Sequence, residues 1–312
     1  MTDCTGSISR SNIRLIGADG AGIFHLHGDG AGEEGATLVE GGFGELIESN
    51  IKVLERTPVR MDGAILRAVK TEVLTFTIEL SVNGRHVNQE LLQVDGPLRE
   101  ALTFEVDRWD PDSRLARIEW ETDDDLRWVE VVLSSMSYEI TIDPHRRGWW
   151  IWKVTLKAYE PFWKARAVPK GVVFTEPGIK QVEISNPSSL PMYHQFSGTV
   201  AQWRLPDNTW QGPRWKRAPG GRYPNRKILY PALTELNGGL VVDYTPGEIK
   251  VRDKADTNLI ATMPTPGDYP QFCIPPFTQR QTIDIEAVQV PPGGAAIKLI
   301  QPRRYRRPWG RV

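Results

Sequence analysis

The chain has 312 residues, 40% of them hydrophobic and only two of them Cys, which allows two domains with a core in each and excludes a disulfide framework. Its 38 Lys and Arg against 39 Asp and Glu give a net charge of −1, so the chain as a whole is neither a polycation nor a polyanion. That neutrality hides a split: 18 cations face 28 carboxylates up to Ala165, and 20 face 11 from Arg166 onward, leaving halves of −10 and +9 that call for charged or complementary partners.

With 28 Gly and 24 Pro between short apolar runs, turns are frequent and long helices have little room, which favours a β-dominated class. Met1–Ser7 has no basic stretch leading into an apolar one. No segment reaches the roughly 18 apolar residues of a membrane span, and the reading is of a soluble protein made in a reducing cytoplasm. Between Ile13 and Leu46, ten glycines surround short apolar pieces (Ile13, Leu15; Ile23, Phe24, Leu26), which reads as one or two strands joined by flexible loops. From Thr71 to Val82 the residues Leu74, Phe76, Ile78, Leu80 and Val82 alternate with polar ones, a half-buried strand that Asn83-Gly84 ends as a turn. One helix is predicted, with Asp95 as its cap, Pro97 in its first turn and Leu98, Ala101, Leu102 and Val106 on one face. Leu115 to Thr122, Leu126 to Leu133 and Met136 to Ile142 then read as a meander, broken at Asp123-Asp124-Asp125 and Ser134-Ser135. The Trp-rich run from Gly148 to Trp163 alternates from Trp150 to Ala158 as a strand, and Pro161 stops it. In the second half Gly178 to Ser185, Tyr193 to Leu205, Leu240 to Tyr244, Glu248 to Arg252, Leu259 to Met263, Ile283 to Val290 and Ala296 to Gln301 are short runs between Pro, Gly, Asn and Asp. That spacing suits a sandwich.

Several groupings have the residue types of a chemical site. Gly30-Ala31-Gly32-Glu33-Glu34-Gly35 matches G-x-G-x-x-G, but the following Gly41-Gly42 and Gly44 deny it a helix, and two Glu would repel a pyrophosphate. It reads as an acidic loop. His25 and His27 share a strand face, and Asp29, Glu33 or Glu34 would complete a metal set; the plainer reading is two partner-facing histidines. Asp107–Asp112 and Asp123–Asp125 gather carboxylates without a calcium-loop pattern and read as solvated turns. No nucleophile motif surrounds Cys4, Cys273 or any Ser, so no catalytic residue is assigned. Pro213–Arg217, Arg222–Lys227 and Arg303–Arg311 interleave cations with aromatics. This suits single-stranded nucleic acid and equally a protein interface, and the acidic half of a neighbouring copy is a fitting partner. On that ground Arg303, Arg304, Tyr305, Arg306, Arg307, Trp309, Trp215 and Arg217 are expected interface residues. Trp203, Trp210 and Trp215 form an alternative sugar-stacking set.

Ala158-Tyr159-Glu160-Pro161-Phe162-Trp163, followed by Val182–Pro187 and Met192-Tyr193-His194, resembles the siphophage distal tail proteins, over essentially the whole chain. Ile23–Gly28, Pro219-Gly220-Gly221, Asn237–Asp243 and Gln301–Gly310 are similar to minor tail proteins of actinobacterial siphophages. The resemblance implies a mainly β protein. An N-terminal β-sandwich or split-barrel-like ring domain with one helix would occupy residues 1–163, and a galectin-like β-sandwich residues 164–312, with Trp152, Pro161, Phe162 and Trp163 at the junction. It further implies a structural virion component of a long non-contractile tail, made in the bacterial host cytoplasm, with no enzymatic activity and no cofactor or metal. Its partners would be itself in a six-fold ring, the tail tube protein, the tail-tip or baseplate hub protein and other minor tail proteins. DNA would pass through its channel without specific binding, past an acidic first half, and nothing would insert into a membrane. A carbohydrate-binding tail-tip protein contacting the host cell wall, and a nucleic-acid-binding protein using the Arg/Trp-rich second half, remain alternatives.

Overall fold

A computed structural model describes residues 11–42, 46–48, 50–57, 62–140 and 142–310; Met1–Ser7, Gly44, Thr141 and Arg311, which enter the sequence reading, lie outside the described residues. The chain divides into two compact units. One runs to Ala165 and takes in Arg306–Gly310, and the other is Arg166–Tyr305. Both are built of strands, so the mainly β class is borne out.

In the first unit β1 (Ser11–Ile16), β2 (Ile23–His27), β3 (Ala36–Leu38), β4 (Ile51–Arg56), β5 (Ile65–Thr71) and β6 (Leu74–Asn83) precede the helix α1 (Leu91–Ala101). After it come β7 (Ala116–Thr122), β8 (Leu126–Glu139), a single helical turn α2 (Pro144–Arg147), β9 (Trp149–Ala158) and the start of β10 (Trp163–Phe174). Seven strands pair antiparallel in the order β2-β1-β7-β8-β9-β6-β3. β3 comes back beside β2, so the sheet curls towards closure. The alternation read in β6 holds: Leu74, Phe76, Ile78, Leu80 and Val82 are buried, and the in-register partners Ala158, Leu156, Val154 and Trp152 of β9 are buried opposite them. The two runs predicted either side of Ser134-Ser135 are one strand. Its register shifts between Leu133 and Ser135, a bulge that lets β8 pair with β7 through its first half and with β9 through its second.

The helix is displaced from its prediction. It begins at Leu91, where Glu90 and Gln93 cap each other reciprocally and the Glu90 backbone N–H donates to Gln93 Oε1 at 3.2 Å. Asp95 is an interior residue, buried and paired with Arg99 at 2.6 Å. Pro97 lies inside the helix and Val106 beyond it. The Asp-x-Pro pair imitates a helix start, but Leu91, Val94, Leu98 and Ala101 make the buried face. Starting at Leu91 adds one more turn to that face.

The second unit packs two antiparallel sheets around one core. One contains β18 (Val251–Asp253), β17 (Leu240–Asp243), β12 (Gln195–Gly198), β20 (Ala295–Tyr305) and β10. The other contains β11 (Gly178–Asn186), β19 (Thr278–Gln289), β13 (Gln202–Pro206) and β16 (Lys227–Leu229). A short hairpin of β14 (Trp210–Gln211) and β15 (Ala218–Pro219) stands apart from both. Phe196, Val242 and Leu299 from the first sheet share the core with Ile184, Trp203 and Ile285 from the second. The run read as one strand from Tyr193 to Leu205 is therefore split, with β12 in one sheet and β13 in the other. Gly198 permits the crossing: a Cβ there would lie 2.8 Å from Trp203 Nε1. Asn186, read as part of a turn, is fully buried. Its amide donates to the carbonyls of Leu190, Ile274 and Pro275 at 2.9, 3.2 and 3.0 Å. The run Leu259 to Met263 holds a single 3-10 turn in place of a strand.

His194 is buried in this core, stacked on Tyr244 at 3.9 Å and edge-on to Phe196. Burial pushes its imidazole pKa down from 6.5 to about 3. Above pH 6.5 the folded and unfolded chains both carry neutral His194; below it only the unfolded chain takes up the proton. Stability at this site is therefore lost as pH falls from 6.5 towards 3, by about 1.4 kcal/mol per pH unit. Thermal melts across that window should show a steeper loss for the native chain than for His194→Phe, and equal slopes would contradict this account.

Candidate functional site

The C-terminal cations do not form a free arm. Arg303 and Arg304 lie on β20, where Arg304 donates to the Pro191 carbonyl at 2.9 Å and stacks over Tyr193 at 4.6 Å. Tyr305 is buried. Beyond it the chain joins the first unit: Arg306 is partly buried, Arg307 pairs with Glu48, and Trp309 packs against Trp120 with ring centres 4.9 Å apart. Arg127 holds this segment in place. Its guanidinium, on a side chain only 5% exposed, donates to the carbonyls of Arg307 and Gly310 at 2.9 and 2.6 Å and pairs with Asp125 at 3.1 Å. A buried charge needs this full set of partners.

In the second unit Trp215 is exposed at the tip of the β14–β15 hairpin, tilted against Phe277 at 5.5 Å. Arg217 donates to the Pro276 carbonyl, and its own carbonyl accepts from Gln281 Nε2 at 2.8 Å. The sugar-stacking set does not assemble. Trp203 is fully buried with its Nε1 donating to the Thr199 carbonyl at 3.1 Å, and Trp210 is packed on the core.

The four expected junction residues lie in the first unit. Trp152 and Trp163 are fully buried, Pro161 is buried and Phe162 partly so. Trp163 meets Trp120 edge-on at 6.2 Å. Trp150, stacked on Tyr138 at 4.9 Å, and Trp152 enclose the Arg99 guanidinium, which lies 5.0–5.8 Å from the three ring centres. The hydrogen bond to Asp95 raises the Arg99 pKa; burial opposes it and the bond to Tyr138 supports it. The Trp-rich run thus supplies two walls of a partly exposed cation–π cluster, with the Arg99 side chain 41% exposed. Lys164 follows the same logic: burial disfavours its charge, but bonds to Glu160 and Glu130 at 2.5 and 3.0 Å leave its pKa raised.

At the acidic loop, Gly30–Gly35 forms successive turns and β3 follows, so the loop opens no helix. His25 Nδ1 and the carboxylates of Glu33 and Glu34 offer ligand atoms within 4.8 Å of one another, with His27 outside the group. Two hydrogen bonds of 2.8 Å, from the His25 ring and backbone to Glu34, hold that pair together. Ligands on a tetrahedral zinc with bonds of ~2.0–2.1 Å stand about 3.3 Å apart. Asp107 and Asp110 accept from the backbone N–H of Trp109 and Asp112 at 2.9 Å, as solvated turns do.

One surface had no counterpart in the sequence reading. Among the described residues β4 and β5 pair only with each other. Ile51, Val53, Leu54, Ile65, Leu66 and Val69 are 37–62% exposed on that hairpin. Lys52, Arg56, Arg67 and Lys70 against Glu55 make it basic within an acidic half. The signal was present as Ile, Val and Leu spaced by charged residues, and it is obscured by the register shift between Leu54 and Glu55.

No protein-family model matches the chain, and none of the curated proteins does. Among solved structures it is similar to the SPP1 Dit (gp 19.1) protein, described as a paradigm of hub adsorption apparatus in Gram-positive infecting phages: 11% identity over 81% of this chain and 88% of that one, TM-score 0.48. It is also similar to chains of the phage P2 baseplate in its activated conformation with Ca and with Sr. These share 10% and 11% identity over 94% of this chain and 98% of theirs, with TM-scores of 0.41 and 0.43. At about one shared residue in ten, the function of this chain has to be argued from its own residues.

Arg127→Ala removes every tether that Arg127 supplies to Arg307 and Gly310. Limited proteolysis should then clip the C-terminal segment near Arg306 and Arg307 at least tenfold faster than in the native chain, while Arg127→Lys gives an intermediate rate. An unchanged cleavage rate in Arg127→Ala would show that the Trp309 contact alone suffices.

Proposed function

We propose that this chain is a structural component of a long non-contractile phage tail. In this reading it forms a six-fold ring at the distal end of the tail tube, joins the tube to the tip or baseplate hub, and surrounds the channel by which DNA leaves. The observation that carries the reading is the β4–β5 hairpin. A two-stranded ribbon is marginal in water by itself. Among the described residues this one pairs with no other strand, and it carries exposed aliphatic side chains on each strand, which is an association surface unless another chain covers it. Its basic side chains fit the acidic first half of a second copy. A surface that docks on a different patch of an identical neighbour generates a ring where the rotation closes. The resemblance of Ala158–Trp163 and of Gln301–Gly310 to tail proteins supplies the biological setting. Tail tube, hub and other minor tail proteins are then the neighbours above and below, and the net negative first half discourages DNA from adhering to the channel wall.

A Leu66→Glu/Val69→Glu double variant should keep its thermal midpoint within a few degrees, because both residues are exposed. It should also fail to form rings in negative-stain micrographs and fail to enter tails when supplied in place of the native chain. Tails that assemble normally with the double variant would refute the hairpin's role.

A further inference from the structure

A cleft of about 470 Å³ opens in the first unit beside the packed Trp120–Trp309 pair, with Ser11, Thr122 and Asp124 on its rim. Three of these five residues have their positions set by pairing. Ser11 of β1 lies directly opposite Thr122 of β7, Ile13 lies opposite Trp120, and Trp120 lies opposite Arg127 of β8. Side chains two apart on a strand share a face, so Trp120 and Thr122 face the same side. Arg127 in turn fastens the returning segment by its carbonyls. This lays Trp309 on Trp120 with ring planes at 50°. Trp120 is nearly buried, whereas Trp309 keeps 37% of its surface exposed. The result is one firmly backed aromatic wall and a polar rim of two hydroxyls and a carboxylate.

We infer that this cleft is a binding site for a neutral glycan. Its size falls within the range of small-ligand sites, which combine an apolar wall with a few converging polar groups. A pyranose ring has that same division: a C–H face that lies on an indole and hydroxyls at its edge that bond to side-chain oxygens. Asp124 supplies the charge-assisted acceptor for a pair of sugar hydroxyls. With Asp123 and Asp125 in the same turn, it turns away uronic acids and phosphorylated sugars. A quaternary ammonium would also be drawn to indoles beside a carboxylate. It would leave unused the Ser11 hydroxyl and the lone pairs of the Thr122 hydroxyl, whose proton is donated to the Asp125 carbonyl at 3.2 Å, and most of the volume empty, so the sugar is the better fit. The site is independent of ring formation, since every group in it comes from one chain.

The test is saturation-transfer NMR and calorimetry on the full chain with neutral trisaccharides of glucose, galactose, mannose and N-acetylglucosamine, alongside trigalacturonate and choline. At least one neutral trisaccharide should bind saturably. Its affinity should fall at least tenfold in Trp309→Ala, partly recover in Trp309→Phe, and fall several-fold in Asp124→Asn, which leaves the fold untouched if Trp309→Ala does not. No saturable binding by any neutral trisaccharide would overturn the inference. So would a response confined to choline or trigalacturonate, or undiminished affinity in both Trp309→Ala and Asp124→Asn.

Discussion

The buried guanidinium of Arg127 organises much of what is distinctive in the first unit. A permanent charge with a nearly inaccessible side chain has to meet a full set of acceptors, and the strand turn provides Asp125. Two further acceptors are the carbonyls of Arg307 and Gly310, 180 and 183 residues away. Satisfying one charge therefore fixes where the C-terminal segment lies, covers Trp120 with Trp309 and shapes the cleft beside that pair. It also pairs Arg307 with Glu48, so part of the basic C-terminus is spent within its own chain.

The β4–β5 hairpin shows the opposite condition. On the neighbouring strands β6 and β9 the alternating apolar residues are buried on one face. On the hairpin no other described residue buries the aliphatic side chains in this way. The first unit thus contains both a fully satisfied polar anchor and an unsatisfied apolar ribbon. A ribbon that needs a neighbour and an anchor that does not are consistent with a chain whose folding is complete in one copy and whose assembly is not.

Legibility in the sequence followed the range of the interaction. β6 and β9 could be read from alternation, and the turns from Asn-Gly and Pro-Gly chemistry, because both depend on neighbours two to four residues away. The helix start was misplaced because Asp95 and Pro97 carry a stronger local signature than the Glu90–Gln93 capping pair. The tertiary burial of Leu91 and Val94 decided between them. The continuity of β8 was hidden for a similar reason: a bulge and a turn both look like Ser-Ser in one dimension. The aromatic residues were least legible. Trp203, proposed for a surface, is a core residue held by Thr199, and Trp150 and Trp152 enclose Arg99.

By itself, then, the sequence determined the mainly β class, most strands, the acidic and basic halves and the resemblance to tail proteins, since periodicity, composition and motif are properties of the chain alone. Only the tertiary structure decided which indole faces water, which arginine is spent internally and which strands stand uncovered. Burial and hydrogen-bond satisfaction depend on groups brought together from distant parts of the chain: Trp309 on Trp120, Arg127 on Gly310, Gly198 against Trp203. No local pattern encodes such a meeting, because each partner is a plausible surface or core residue until the other arrives.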